Sequence, residues 1–538
     1  MCRKVPDMLF STPLSPDTCA RMTRRGVLTL PALAGAGVVL AGCGVLKKGG
    51  SASGKGSGSA ASAHAAMAAS TGPHGGVVLE AGIEGKPVSV EVGPAVVVGE
   101  RTVVRLVVST SQAEGHIMVS SMFGTTRAPI TLLDVQMLSL GKGLVFPELS
   151  LSHEGLYQDV TKDDPVELFP VFAAVGGGVK TVEVLLPHMG VVVGVPVAEE
   201  SKAGYSAADV LAKAEFTTSD PGPYRLQSHT VAADGSSDVK RDEASTTVTV
   251  AGDVTFAVDS DQLSAQADSV LSGVVEQIKK YPSGGELTVT GHTDDVADDA
   301  HNQDLSERRA KAVSGRLKTL TDLSAWKEAV SGKGESSPRV PNDSEENKQA
   351  NRRVEVTLKP SKPQEGDSAQ GASAASSSTA MPEATGPVGK GPEGVDVNVD
   401  GKTLHMSIDR VVRIGKYLTG SVELSSDQDV SISGASFALP ETMQKVHGGW
   451  VIGGVYSLTL LSGSTRYMET DCEPPAGDRL PIAMTSFGSS VKPGVPVRLP
   501  VVWPDPGGDS VTIDLPEGEA RLSGRIVARL TDIPVTNA

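Results

Sequence analysis

The sequence predicts a multidomain chain in which two all-β sandwiches flank a central α+β domain. Three observations carry this reading. Low-complexity tracts at 43–76 and 360–394 interrupt the chain. Short β-branched runs between Gly and Pro turn signals fill 77–200 and 395–533. Between 251 and 359 the hydrophobic period changes from two to that of a helix and back again.

The 538 residues suffice for about three domains, and a hydrophobic content of 39% provides for real cores. A formal charge of −16 argues against a nucleic-acid partner, whose footprint is basic. Four cysteines in so long a chain exclude a disulfide scaffold.

Residues 1–42 read as an export signal. Met22-Thr23-Arg24-Arg25-Gly26 supplies a charged start, followed by an apolar run interrupted by Pro31 and several glycines. At about sixteen residues the run falls short of the roughly 20 needed to cross hydrocarbon. Leu40-Ala41-Gly42-Cys43 resembles a bacterial lipobox, which implies a lipid on Cys43 as the first mature residue. Arg24-Arg25 resembles a twin-arginine export motif, with Val27 where that pattern prefers Phe. Met22 is an alternative start, and Cys2 and Cys19 carry no expected role.

Removal of 1–42 takes away five basic and two acidic residues and brings the charge to −19. Charge alone therefore does not hold such a protein to an anionic membrane. A lipid supplies about 0.8 kcal/mol per buried CH₂. The implied location is the outer face of the cytoplasmic membrane, in association with the wall. Cys472 is the other mature cysteine, so no intramolecular disulfide is expected.

The tract 43–76 is Gly-, Ser- and Ala-rich, as in Gly49-Gly50-Ser51-Ala52-Ser53-Gly54, with a coil span on the order of 30 Å. Residues 77–200 alternate as strands do, for example Val88-Ser89-Val90-Glu91-Val92. Residues 395–533 repeat that pattern. Gly85-Lys86-Pro87-Val88 aligns with Gly401-Lys402-Thr403-Leu404, and Val98-Gly99-Glu100 with Ile414-Gly415-Lys416. Leu168-Phe169-Pro170-Val171 aligns with Arg498-Leu499-Pro500-Val501. Val182-Glu183-Val184-Leu185-Leu186-Pro187 aligns with Val511-Thr512-Ile513-Asp514-Leu515-Pro516. The pattern reads as a duplicated sandwich of roughly 120 residues, loosely resembling immunoglobulin-like domains. Residues 201–250 read as a connecting β-rich segment, and 534–538 as a tail. Spacing and contact with envelope proteins are the expected sandwich functions.

In 251–359, Val254-Thr255-Phe256-Ala257-Val258 reads as a strand. Leu263, Ala267, Val270, Leu271, Val274, Val275 and Ile278 then form a helical stripe. Strands follow at 286–290, 329–332 and 353–358, with a second helix at about 305–320 between the first two of these. Four motifs stand in order: Gly291-His292-Thr293-Asp294, Asn302-Gln303-Asp304-Leu305-Ser306-Glu307-Arg308-Arg309-Ala310, Gly332-Lys333-Gly334-Glu335 and Asn351-Arg352-Arg353-Val354-Glu355. Together they resemble the OmpA C-terminal family, over about a fifth of the chain.

That resemblance implies non-covalent binding of peptidoglycan through the diaminopimelate of its stem peptide, much as in peptidoglycan-associated lipoproteins. Diaminopimelate ends in an amine and a carboxylate on one carbon, so its recognition calls for an acid beside a guanidinium. By resemblance Asp294 takes the amine and Arg309 the carboxylate, the latter through a planar fork. Asn302 holds the loop, Thr293 and Leu305 line the pocket, and Asp259 and Arg353 are accessory contacts. Arg308, next to Arg309 on the helix, points elsewhere. Ala297 stands where the family usually has Gly, and costs strain if that position needs positive φ.

His292, Asp294, Asp295, Asp298, Asp299 and His301 fit neither a zinc pattern nor a calcium loop, so no metal and no cofactor is expected. The resulting expectation is a non-enzymatic tether between membrane and wall. The rival is a wall-localised enzyme or receptor that the central domain merely positions, with its substrate or protein-binding site in the sandwiches. No Gly-x-Ser-x-Gly or His-Glu-x-x-His motif supports the enzyme.

Overall fold

A computed structural model describes residues 70–363 and 380–538, apart from positions 84, 112–116, 124–132, 217–220, 243, 441–442, 444–454, 473–479, 483–487 and 519–523. The export segment with Arg24 and Arg25, the lipidation residue Cys43 and much of both tethers lie outside the described residues.

The N-terminal lobe is built around the strand Lys86–Val98, which pairs with Val77–Ile83 and Arg101–Ser109. The last of these also carries Val166–Leu168 and Val171–Ala173. A second set joins Thr181–Leu186 to Gly190–Ala198 and Gln136–Ser139. Alternation buries Val88, Val90 and Val92 against Val104, Leu106, Met137, Phe146 and Val184. The sheet already starts at Ser70–Thr71, paired to Val77–Ile83, so the first tether ends earlier than composition suggests.

The C-terminal lobe repeats the pairing order. Val395–Val399 turns through Gly401 into Lys402–Ser407, as Val77–Ile83 turns through Gly85 into Lys86–Val98. Both glycines have positive φ, 79° and 83°, a region open to glycine. Val497–Pro504 lies on Tyr417–Ser425, and Ser510–Leu515 pairs with Ala528–Asn537. Two boundaries need correction. Val388–Lys390, assigned to the second tether, pairs in parallel with Ala528–Asn537. That last strand also runs through the supposed tail, with Val535 opposite Val411.

The two strand-rich lobes share a core. Leu138, Leu140, Val145 and Leu185 pack in one cluster with Tyr417, Leu418, Leu499 and Trp503. The linear order of tether and lobe in sequence is thus not an order of separated beads.

Nor is 201–250 a mere connector. Glu200–Ala203 and Ala207–Lys213 are short helices, and Ala203 and Ala207 pack against Val96, Val103 and Val171. Tyr205 Oη stands 2.8 Å from the Val103 carbonyl oxygen and 3.1 Å from that of Pro94. The rest of the segment belongs to the central sheet. Strand β1 (Tyr224–Ala232) pairs with Leu144–Pro147 of the first lobe, with Thr465–Tyr467 of the last, and with β2 (Ser237–Arg241). One strand therefore ties all three lobes together.

The central sheet continues through β3 (Thr246–Ala251), β6 (Arg353–Pro360), β4 (Gly285–His292) and β5 (Trp326–Gly332), in that spatial order. The expected opening strand at 254–258 is instead a one-turn helix α1 (Gly252–Thr255) followed by a bridge at Phe256; β3 takes its place. Gly252 N–H donates to the Arg352 carbonyl at 2.7 Å, and this turns the chain. Helices α2 (Ala267–Lys279) and α3 (Asp299–Leu320) cover one face. Val270, Leu271, Val274 and Ile278 meet Val250, Val289, Val354 and Val356, together with Val313 and Leu317. Helix α3 starts earlier than its apolar period shows, because the Asp298 side chain caps it by accepting the His301 N–H at 2.9 Å. Helix α4 (Glu345–Asn351) precedes β6.

Glu183 gives a pH test of the first lobe. Burial pushes its carboxyl up to about 7, although it accepts the Leu140 N–H at 2.9 Å. The folded state therefore binds the proton more tightly than the unfolded one, and stability falls as pH rises from about 4.5 through about 7. Glu183→Gln keeps an acceptor oxygen without the charge. It is expected to stabilise by up to roughly 3 kcal/mol above pH 7 and to be neutral below about pH 4.5. Calorimetric melting across that range is the check, and a pH-independent difference would refute it.

Candidate functional site

The site forms where β4 hands over to α3. Gly291 of β4 and Gly332 of β5 lie opposite each other in the parallel pair, and the first turns of α3 sit against them. An ideal Cβ would stand 2.1 Å from the Ser306 carbonyl oxygen at Gly291 and 2.3 Å from Ser306 Oγ at Gly332. Their lack of a side chain sets the depth at which α3 lies. Asn302, Leu305 and Arg309 then share one helical face directed at the loop after β4.

Asp294 lies two residues beyond β4 and is 8% exposed. Its Oδ2 receives Arg352 Nη1 at 2.6 Å. Arg352, just past α4, also holds Asp253 by a fork, Nε to Oδ1 at 2.8 Å and Nη2 to Oδ2 at 2.7 Å. Hydrogen bonds and charge from Asp253 and Asp294 raise the Arg352 pKa above its ordinary value.

Arg309 is 5% exposed, and its guanidinium carbon lies 5.1 Å from the centre of the Phe256 ring. Its Nε donates to the Ser260 carbonyl at 2.9 Å. Nη1 and Nη2 make no hydrogen bond among the described residues. Burial lowers the Arg309 pKa, and the carboxylates of Asp253, Asp259 and Asp294 oppose that shift. Asp294 and Arg309 thus share a site without bonding each other.

Asn302 is buried, and its Nδ2 reaches the carbonyl oxygens of Asp294 and Ala297 at 3.2 and 3.1 Å and Glu335 Oε2 at 2.6 Å. The first two of these bonds tie the loop after β4 to α3. Thr293 is buried, and its N–H donates to the Gly334 carbonyl at 3.0 Å. Leu305 is also buried. Asp259 adopts φ +50° and pairs with His301 on α3 at 2.8 Å, with most of its side chain exposed. Ala297 is absent from the positive-φ residues, so the strain expected of it does not arise.

Arg353 departs from the expected set. Val354, Val356 and Leu358 face the helices, which sends Arg353 to the opposite face of the sheet. There Nε binds Glu355 Oε1 at 2.8 Å, and the terminal nitrogens reach the carbonyls of Asn351 and Ser337. Its neighbour Arg352 is the residue that enters the site. Arg308 pairs with Asp304 and Asp261 at the half-exposed surface. Among the described residues no group of three or more His, Cys, Asp or Glu is placed to hold a metal ion.

Comparison with known proteins falls on these same residues. The OmpA family model matches 255–352. Outer membrane porin F of Pseudomonas aeruginosa is 38% identical over 106 residues, which cover 20% of this chain and 30% of that protein. The protein named Probable lipoprotein YiaD, of Escherichia coli, is 36% identical over 107 residues, 20% of this chain and 48% of that one. A solved structure, the cell wall anchor of the T6SS from Pseudomonas aeruginosa, is 28% identical, covering 23% of this chain and 88% of that one at a TM-score of 0.21. The chain therefore carries an OmpA-like domain, and the match spans less than half the length of both curated relatives.

Proposed function

We propose that this protein is an exported, non-enzymatic lipoprotein that tethers membrane to cell wall through its OmpA-like domain. The observation that carries the reading is Arg309: a buried guanidinium whose two terminal nitrogens are unbonded among the described residues, within charge range of Asp294. The free fork suits a carboxylate and the acid suits an amine. A diaminopimelate end presents both on one carbon.

Arg352 takes a different part. It pins Asp294 in place, so that the carboxylate is oriented before a ligand arrives. Asn302 fixes the loop that carries it. The lipid on Cys43, after export guided by Arg24 and Arg25, is the second anchor, on the outer face of the cytoplasmic membrane. Two anchors on one chain strengthen each other by effective concentration where both can be reached at once. The flanking lobes, read as duplicated immunoglobulin-like sandwiches, space the anchors and offer surfaces to envelope proteins.

Sedimentation with purified sacculi tests the wall contact. The parent protein is expected in the pellet, with Asp294→Ala and Arg309→Ala in the supernatant. Equal pelleting of all three would sink the assignment. Fractionation of cells expressing Cys43→Ala tests the other anchor: release from membranes is expected, and retention would count against the lipid.

A further inference from the structure

Two apolar side chains stand in water beside the OmpA-like site. Val258 is 97% exposed and Val296 is 68% exposed. Among the described residues of 224–363 they are the two large hydrophobic side chains left open. Single exposed valines are ordinary on a protein surface. A pair on the two loops that bound one site is a different matter.

Helix α3 brings those loops together. The first turns at 257–260, where Ser260 N–H donates to the Ala257 carbonyl at 3.2 Å and Asp259, just after Val258, adopts φ +50°. The second follows β4 and carries Val296 two residues after Asp294, whose Oδ1 accepts the Val296 N–H at 3.4 Å. His301 is held by both loops. Its N–H donates to Asp298 Oδ1 at 2.9 Å, and its ring nitrogen Nε2 stands 2.8 Å from Asp259 Oδ1. Arg309 reaches the Ser260 carbonyl from the same helix, and Asn302 that of Ala297. Each valine is therefore within two residues of a group that forms the site or anchors one of its side chains.

The fold does not call for valine at either place. Turns favour Gly, Asn, Asp and Ser, and neither side chain joins the core of the central lobe. A ligand gives them a role. Arg309 is 5% exposed, and its terminal nitrogens, unbonded among the described residues, suit an anionic ligand end. The rest of such a ligand extends outward past the two loops.

We propose that Val258 and Val296 grip the aliphatic chain of the ligand whose zwitterionic end sits on Asp294 and Arg309. The inference rests on the wall-binding reading and adds a requirement to it. The unit recognised is an amino acid with a methylene chain, not any zwitterion. Diaminopimelate carries such a chain between its two ends. Each CH₂ taken out of water is worth about a fourfold gain in affinity.

Isothermal titration of the full-length protein tests it with three probes. Diaminopimelate is the first; norleucine keeps one amino-acid end and the chain; alanine keeps the end alone. Norleucine is expected to bind more tightly than alanine by about fivefold or more. In Val258→Ser/Val296→Ser, diaminopimelate and norleucine are both expected to weaken by about fivefold or more, with alanine and the melting temperature unchanged. Both positions lie in solvent, so the variant reads contact with the ligand rather than folding. A smaller loss for either chain-bearing probe, or a smaller preference of the parent for norleucine, overturns the valine pair and leaves the wall-binding reading standing. A parent that binds neither diaminopimelate nor sacculi overturns that reading, and this inference with it.

Discussion

Gly291→Ala is expected to cost the central lobe about 3 kcal/mol or more and to abolish pelleting with sacculi. The added Cβ would sit 2.1 Å from the backbone oxygen of Ser306. A flexible side-chain tip could swing aside, but a helix backbone cannot. Helix α3 must rise from the sheet, carrying Asn302 away from the Asp294 and Ala297 carbonyls and Arg309 away from Ser260. Stability and binding are therefore lost together. Gly315→Ala on the same helix is the control: its Cβ meets nothing within 4 Å. It is expected to be neutral or to stabilise by about 0.5–1 kcal/mol, since alanine loses less entropy in a helix. Thermal melting and sacculus sedimentation of both variants decide the matter. A Gly291→Ala protein that melts and pellets like the parent refutes this account of how α3 is seated.

The motif containing Gly291 was legible in the sequence, and so were the two helices with their apolar stripes. The role of its glycine was not. Nothing local in Gly291-His292-Thr293-Asp294 says that a helix fifteen residues on will touch its backbone. The misplaced opening strand has a similar cause. Thr246-Thr247-Val248-Thr249-Val250 and Val254-Thr255-Phe256-Ala257-Val258 both satisfy β propensity. The choice between them rests on pairing with β6, a contact more than a hundred residues away. Arg353 is different, because its signal was present. The alternation Val354, Val356, Leu358 marks the core face of β6 and sets Arg353 on the other. Read that way, period two excludes Arg353 from the site and leaves Arg352 as the arginine of that motif able to reach it.

Arg352→Met follows from that placement and is expected to damage stability and binding by separable routes. The substitution keeps the bulk of the chain but leaves Asp294 and Asp253 without their cation. Breaking a fully buried pair costs about 3–5 kcal/mol. Arg352 is 23% exposed and Asp253 more so, which reduces the expected loss to about 2–3 kcal/mol. Asp294→Asn/Arg352→Met removes the stranded charge at the site as well as its partner. Its melting temperature is expected to recover part of the loss, because no charge at 294 remains to be stabilised. Its sedimentation with sacculi is not expected to recover, because the acid proposed to meet the amine is gone. Since asparagine at 294 loses the acid whatever Arg352 does, the part played by the arginine is read from Arg352→Met alone. A folded Arg352→Met protein that pellets like the parent makes the arginine merely structural, and one that stays folded yet fails to pellet identifies it as the group that holds Asp294 in place.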